Sequence, residues 1–248
     1  MRMKNLFCSS IILIAFVFGS CTKEETQSAT RTYNFTISRS GSTLSSASVS
    51  IQTKSRNYSA STDNDGKCLI NIPNSVSLPK YTIVTIDHSS IKPYCLTVSG
   101  DANAKYSNPI NCSNLPTIVR LKEISLHHLG NDQYSGAANS QLQLPTEGLE
   151  KTFSYNLPAT PGVMPRIQIY ARGIQHSAQI LSNGTLVRTL DNSNSNGDLS
   201  LYDFQAIGTA NTIYRAGTNY ITIKTGATGN SSDPWDDIEF CGILIYYQ

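Results

Sequence analysis

Short runs in which apolar and polar residues alternate constrain the fold of this chain more than any other feature. In Arg166–Tyr170 and in Tyr220–Lys224, isoleucines occupy every second position. Successive side chains of a β-strand point to opposite faces, so this alternation predicts half-buried strands. Turns rich in Ser, Asn and Gly separate the runs, and no long stretch has the spacing of an amphipathic helix. The chain is therefore predicted to be all-β.

The runs before residue 124 predict one small β-sandwich. Each half-buried sheet needs a second sheet to cover its apolar face, and about seven runs are present. We therefore assign residues 31–123 to a seven-stranded sandwich. Six of these runs are Tyr33–Ile37, Ala47–Ile51, Leu69–Ile72, Tyr81–Ile86, Tyr94–Val98 and Ile118–Leu121.

The segment Ser61–Lys67 (STDNDGK) is the most specific motif in this first domain. Asp63 can accept hydrogen bonds from the backbone that follows it, and Gly66 can adopt a positive φ. The motif and the strands around it resemble the carboxypeptidase-regulatory-like (transthyretin-like) sandwich family, whose members mostly act as rigid spacers or recognition stalks. A calcium loop of EF-hand type would need Glu at the position of Asn74. We interpret the segment as a structural turn.

The runs after residue 124 predict a second all-β unit of about eight strands, which fits a jelly roll. Its closing stretch contains Ala216–Ile223 and then Trp235–Phe240. This stretch resembles the end of galactose-binding-like modules, in which a G-x-N-x-I-x-I strand precedes a last strand that begins with acidic residues. The resemblance implies a C-terminal β-jelly roll over residues 124–248 and a glycan as its ligand.

In such modules, glycan sites lie in loops at one end or on a concave face, where an aromatic ring and polar side chains meet the sugar. Trp235, the only tryptophan, follows a polar loop and is a candidate for the aromatic contact, although a core position is at least as common. The polar stretch Asp191–Asp198 is either a binding loop or a simple turn. The predicted ligand-binding residues are Trp235, Asp191, Asn194, Arg188, Tyr202 and His176.

Modules of this kind often hold one structural Ca²⁺ where the first and last strands meet. Asn131 and Asp132 follow the first strand here and offer oxygen ligands. Asp237 and Glu239 stand two apart on the last strand, so their side chains share a face. These four residues are the predicted calcium ligands. The alternative is that the acidic residues only keep a terminal strand soluble.

The cysteines and histidines do not form a recognisable metal-binding pattern. His127 and His128 are adjacent in a strand, so they point to opposite faces and cannot readily chelate one ion. Four cysteines lie beyond the N-terminal segment without CxxC spacing: Cys68, Cys95, Cys112 and Cys241. In an oxidising compartment Cys95 and Cys112 are the best candidates for a disulfide, and buried free thiols are an equal alternative.

The N-terminus has the layout of an export signal. A cationic start is followed by an apolar run, Leu6–Phe18, which is shorter than the roughly 20 residues that span a bilayer. Phe18–Cys21 (FGSC) resembles the bacterial lipobox, with Phe18 where Leu is usual. The resemblance implies a signal peptide over residues 1–20, a lipid on Cys21 and a lipidated tether over residues 21–30. The segment Thr22–Glu25 resembles the acidic tag of Bacteroidota lipoproteins, which implies the outer membrane and the cell exterior.

Charge and motifs exclude several function classes. Loss of Arg2 and Lys4 with the signal leaves 17 basic residues against 17 acidic ones, so no cationic face for nucleic acid is predicted. The chain lacks GxSxG, HExxH, P-loop and GxGxxG motifs. We therefore expect a non-catalytic surface lipoprotein that binds carbohydrate through its jelly roll. The alternative is a structural or adhesive protein whose jelly roll contacts a protein partner.

Overall fold

A computed structural model describes residues 29–131, 142–191 and 199–247, and most of these residues lie in β-strands. The predicted signal, the lipid-attachment residue Cys21 and most of the predicted tether lie outside this part of the chain. The described residues contain one short helix, α1 (Ala210–Ile213). The prediction of an all-β chain is confirmed.

The first sandwich has nine strands, two of which are only two residues long. They are β1 (Thr30–Arg39), β2 (Ser42–Thr43), β3 (Ser48–Gln52), β4 (Asn57–Ser61), β5 (Lys67–Pro73), β6 (Tyr81–Asp87), β7 (Tyr94–Ser99), β8 (Lys105–Tyr106) and β9 (Pro109–Cys112). Strand β1 pairs with β2, β5, β8 and β9 to form one sheet, and β4-β3-β6-β7 form the other. Alternating residues such as Phe35, Val49 and Ile86 fill the core between them.

The Asp63 segment forms the predicted turn between β4 and β5. The Oδ1 atom of Asp63 accepts hydrogen bonds from the backbone N–H groups of Asp65 at 2.9 Å and Lys67 at 2.8 Å. Gly66 has a φ of +73°, and a Cβ atom there would lie 2.3 Å from the carbonyl oxygen of Ile37. Only glycine allows this close approach to β1, so the motif has the structural role that its residues predict.

The second sandwich is a jelly roll. Its strands are β10 (Ile118–Glu123), β11 (His127–Leu129), β12 (Glu150–Leu157), β13 (Arg166–Arg172), β14 (Ala178–Ser182), β15 (Thr185–Leu190), β16 (Ser200–Gln205), β17 (Gly217–Lys224) and β20 (Ile238–Tyr247), with a two-stranded hairpin of β18 (Ala227–Asn230) and β19 (Asp233–Trp235). The sheet β10-β20-β13-β16, to which β11 adds beside β20, is called the middle sheet below, and β12-β17-β14-β15 is called the outer sheet. Consecutive strands mostly alternate between the two sheets, as in jelly rolls.

Strand β10 belongs to the jelly roll, although the sequence pattern assigns Ile118–Leu121 to the first sandwich. It pairs antiparallel with β20, from Ile118 opposite Tyr247 to Glu123 opposite Ile243. The alternation within this run shows that one of its faces is buried but carries no information about which sheet receives it. The predicted boundary at residue 124 therefore falls inside the region that the jelly roll uses.

The middle sheet is buried on both faces because the first sandwich packs against it. Phe240 and Ile245 of β20 lie in the core of the jelly roll. Cys241, on the opposite face, packs with Ile83 and Cys95 of the first sandwich. A strand buried on both faces is mostly apolar, which accounts for the apolar run Phe240–Tyr247 that follows Glu239 in β20. The two sandwiches thus share an apolar junction.

Within the described residues, no helix is long and apolar enough to cross a membrane.

Candidate functional site

Asp236, at the start of the last strand, holds together the loops at one end of the jelly roll. Its Oδ2 atom accepts hydrogen bonds from the backbone N–H groups of Gln175 at 2.7 Å and His176 at 2.8 Å. Gly226 lies close to the backbone of His176, and a Cβ atom at Gly226 would be 2.7 Å from the carbonyl oxygen of His176. Burial raises the pKa of Asp236 to about 6, although these two N–H groups act in the opposite direction.

Three of the predicted ligand-binding residues lie around this point. Trp235 precedes Asp236, ends β19 opposite Ala227 and is half-buried. Half-buried His176 has its backbone fixed by Asp236, and exposed Asp191 accepts a hydrogen bond of 3.4 Å from the hydroxyl of Ser177. The structure therefore brings Trp235, His176 and Asp191 into one group of loops.

The other predicted ligand-binding residues are placed differently. Arg188 lies on β15 with its guanidinium carbon 5.3 Å from the centre of the Phe204 ring. Half-buried Tyr202 packs against the core of the jelly roll, so much of its ring is not available to a ligand. Asn194 is outside the described residues. Strand alternation predicts that Tyr202 and Phe204 point to the same face of β16. Only the packing of the two sheets shows that this face is turned toward the core of the jelly roll.

Glu239, for which the resemblance to galactose-binding-like modules implied a role as a calcium ligand, is paired with Arg172. It is fully buried, and its Oε2 atom accepts hydrogen bonds from Arg172 Nε at 3.0 Å and Nη2 at 2.6 Å. Its Oε1 atom accepts from the backbone N–H of Leu144 at 2.8 Å and from that of Gln143. The guanidinium group of Arg172 already neutralises this carboxylate. Its positive charge would repel a divalent cation placed beside Glu239.

Asp237 lies immediately before β20 and is paired with His128. The His128 Nε2 and Asp237 Oδ1 atoms are 3.0 Å apart, and His128 Nδ1 donates to the carbonyl oxygen of Leu144 at 2.7 Å. Burial lowers the pKa of His128, but the hydrogen bond to Asp237 and the charge of Glu239 outweigh it, so the net shift is upward. The acidic residues form ion pairs in the junction instead of only keeping a terminal strand soluble.

No cluster of three or more His, Cys, Asp or Glu side chains suited to a metal ion occurs in the described part of the chain. Asn131 is described, while Asp132 lies outside the described residues. With Glu239 committed to Arg172, the residues present do not fit the predicted four-ligand calcium site. Calcium at the remaining three positions stays a prediction, which melting curves recorded with and without a chelator would test.

The histidines and cysteines also find partners that the sequence did not indicate. His127 and His128 point to opposite faces, as predicted: the ring of His127 stacks on Phe240 with centroids 5.2 Å apart. Both histidines are buried, because the middle sheet is covered on each side.

The four cysteines of the described residues are free thiols, and Cys95 meets Cys241 at the junction instead of forming the proposed bridge with Cys112.

A polar cleft on the outer sheet contains residues that sequence reasoning missed. It has a volume of about 390 Å³ and is lined by Asn183, Thr185, Asn211, Thr212, Ile213, Tyr214, Arg215 and Tyr220. Tyr220 is 43% exposed, because alternation along β17 turns it away from the core that Ile221 enters. Asn211, Thr212 and Arg215 are exposed as well.

The wall of this cleft is built by an Asn-Gly turn. Asn183 and Gly184 have φ values of +47° and +82°, as in the tight turns that join antiparallel strands. The Nδ2 group of Asn183 donates to the carbonyl of Ile213 at 2.8 Å, and its Oδ1 accepts from the backbone N–H of Tyr220 at 2.9 Å. These hydrogen bonds connect the turn, helix α1 and β17 around the cleft. The Asn-Gly pair was the sequence signal for this structure.

Comparisons with known proteins give limited similarity. No known protein family matches the chain, and no curated protein matches its sequence. A solved structure of T=1 particles derived from infectious bursal virus aligns with 88% of this chain and 68% of its own, at 12% identity and a TM-score of 0.32. A DUF3823 family protein from Parabacteroides merdae aligns over 89% and 100% of the two chains, at 10% identity and a TM-score of 0.26. A candidate carbohydrate-binding protein from Bacteroides uniformis aligns over 88% and 99%, at 10% identity and a TM-score of 0.24. At these TM-scores none of the three defines the function of this chain.

Proposed function

We propose that this protein is a non-catalytic, lipid-anchored surface protein that binds carbohydrate in the cleft beside Tyr220. The observation that carries the proposal is an exposed tyrosine ring in a cleft lined by amide, hydroxyl and guanidinium groups. An aromatic ring can pack against the C–H face of a sugar, while amide and guanidinium groups hydrogen-bond its hydroxyls. This cleft replaces the Trp235 loops as the leading site because its aromatic ring is the more exposed of the two.

The side chains around the cleft support binding and not bond cleavage. Among the described residues that line it, one is charged, Arg215, and none is a carboxylate or histidine that could act as acid or base. Glycoside hydrolysis generally needs two carboxyl groups that flank the scissile bond. The buried acids Asp236 and Glu239 are instead occupied by backbone N–H groups and by Arg172. The proposal therefore assigns no reaction to the chain.

The binding test uses the chain from residue 22 onward in affinity electrophoresis against a panel of polysaccharides. Loss of one stacking ring costs about 0.5–1.5 kcal/mol, so Tyr220→Ala should weaken retention by about twofold to twelvefold. Tyr220→Phe, which keeps the ring, should retain most of the affinity. If Trp235→Ala abolishes retention and Tyr220→Ala does not, the loops and not the cleft are the site. Absence of retention on every polysaccharide would contradict carbohydrate binding and favour a protein partner.

The membrane attachment is a separate part of the proposal, and it rests on the lipobox-like segment that ends at Cys21. The acidic residues after Cys21 support display on the outer face of the outer membrane. Cells that express the wild-type chain should incorporate labelled fatty acid into it, and Cys21→Ser should abolish the labelling. A wild-type chain without label would refute the lipid anchor and leave the cleft proposal intact.

A further inference from the structure

A second cleft, at the edge of the jelly roll where β10 approaches the end of β12, is mostly apolar. Its volume is about 310 Å³, and it is lined by Ile118, Arg120, Leu157, Pro158, Ala159, Thr160, Pro161, Gly162, Val163 and Tyr247. Ile118 and Val163 are 41% and 59% exposed, so apolar surface at the mouth faces solvent. Two prolines in the wall restrict the backbone of its loop. This cleft is distinct from the one beside Tyr220.

Arg120 reaches the cleft because it occupies a β-bulge. In the pairing of β10 with β20, Val119 is opposite Tyr246 and Leu121 is opposite Ile245, which leaves Arg120 as the extra residue. A bulge interrupts the regular alternation and redirects one side chain, and bulges are frequent beside binding sites. The bulge thus places Arg120, the one charged side chain among the described residues of this lining, beside apolar residues.

Among the described residues, the guanidinium group of Arg120 has no acidic partner, unlike those of Arg166 and Arg172 in the same jelly roll. Arg166 and Arg172 pair with Asp203 and Glu239 at 2.8 and 2.6 Å. Arg120 forms no ion pair within the described part of the chain, and its Nε atom is buried without a hydrogen-bond acceptor. The hydroxyl of Tyr247, in the same lining, is likewise buried without a partner. Donors held in an apolar setting gain most from an acceptor that carries negative charge.

We infer that this cleft binds an organic carboxylate with an apolar body. The carboxylate would pair with the guanidinium group of Arg120, and the apolar body would cover Leu157, Pro161 and Val163. A neutral sugar fits less well, because the apolar wall offers few partners for its hydroxyls. The same chemistry is presented by a small free acid and by the C-terminal carboxylate of a polypeptide that ends in an apolar residue. The inference does not depend on carbohydrate binding at Tyr220.

The test follows the Nε–Hε resonance of Arg120 by NMR in the ¹⁵N-labelled chain from residue 22 onward. The probes are 4-phenylbutyrate and the tripeptide Gly-Gly-Leu with a free C-terminus, each compared with its amide. We expect at least one acid to shift the resonance in a saturable way and its amide to bind at least tenfold more weakly. Saturation by 4-phenylbutyrate alone identifies a small acid as the ligand type, and saturation by the tripeptide alone identifies a polypeptide C-terminus. An amide that binds as well as its acid, or no saturable shift with either acid, would overturn the inference.

Variants separate this cleft from the rest of the jelly roll. Binding of the acid, followed through backbone resonances around residues 157–163, should weaken at least tenfold in Arg120→Gln. Arg120→Lys keeps the positive charge in the bulge and should retain part of the affinity, which distinguishes loss of the contact from loss of the fold. Arg166→Gln is the matched control and should bind as the wild type does. Tyr220→Ala should also leave the acid titration unchanged, so the two clefts can fail independently.

Discussion

At the level of single residues, buried charges stabilise the junction between the two sandwiches. Glu239 is fully buried with Arg172, so Glu239→Gln leaves a guanidinium charge in the interior without a counter-charge. We expect the free energy of unfolding to fall by about 3–5 kcal/mol. The partly exposed pair of Arg166 and Asp203 is the matched control, and Asp203→Asn should cost about 1 kcal/mol or less. Urea denaturation measures both variants, and equal losses would contradict the role of burial.

The carboxyl group of Asp236 should make stability depend on pH. Its pKa rises from the ordinary 3.8 to about 6 in the folded protein, so the native state holds this proton more tightly than the unfolded state does. The resulting stabilisation is fully present below pH 3.8 and is lost as the pH rises through about 6. As the pH rises from 3.8 to about 6, Asp236→Asn should therefore become more stable relative to the wild type, because it has no carboxyl group to ionise. Urea curves at a series of pH values test this, and a difference that does not vary with pH would exclude the effect.

At the level of elements, the close approach of β20 to β7 depends on Gly242. It has a φ of +63°, and a Cβ atom there would lie 2.9 Å from Tyr170 Cδ2 and 3.0 Å from Cys95 Sγ. Gly242→Ala should therefore destabilise the protein by about 1–3 kcal/mol more than Gly217→Ala, since the extra methyl group overpacks the junction. Gly217 has a similar φ of +88° but open space around it, so it isolates the backbone contribution. Similar losses in the two variants would show that packing against β7 is unimportant.

The whole molecule should unfold in one step, because the two sandwiches share buried surface and hydrogen bonds. Gln143 receives a hydrogen bond of 2.7 Å from the N–H of Ile83 and donates one of 3.1 Å to its carbonyl, which ties β6 to the jelly roll. Scanning calorimetry should show a single transition whose calorimetric and van't Hoff enthalpies agree. Gln143→Ala should lower the transition temperature, whereas exposed Gln179→Ala should not. Two separate transitions in the wild type would contradict a shared junction.

The sequence by itself determined those features that depend on neighbouring residues. Alternation located most of the longer strands and indicated an all-β chain, and the Asp63 motif predicted a turn in which Gly66 approaches β1. The acidic start of the last strand marked a region that the structure uses, since Asp236 organises the loop at His176. These predictions hold because strand periodicity and turn geometry are set within a few residues.

Only the tertiary structure decided which distant groups meet. It moved β10 into the jelly roll, paired Glu239 with Arg172 where calcium was predicted, and assembled the clefts beside Tyr220 and Arg120. Alternation predicts to which face of its strand a side chain points, but it does not predict which other residues cover that face. Strand pairing and sheet packing bring together residues that are far apart in the chain, and one unaligned sequence contains no local signal for those contacts.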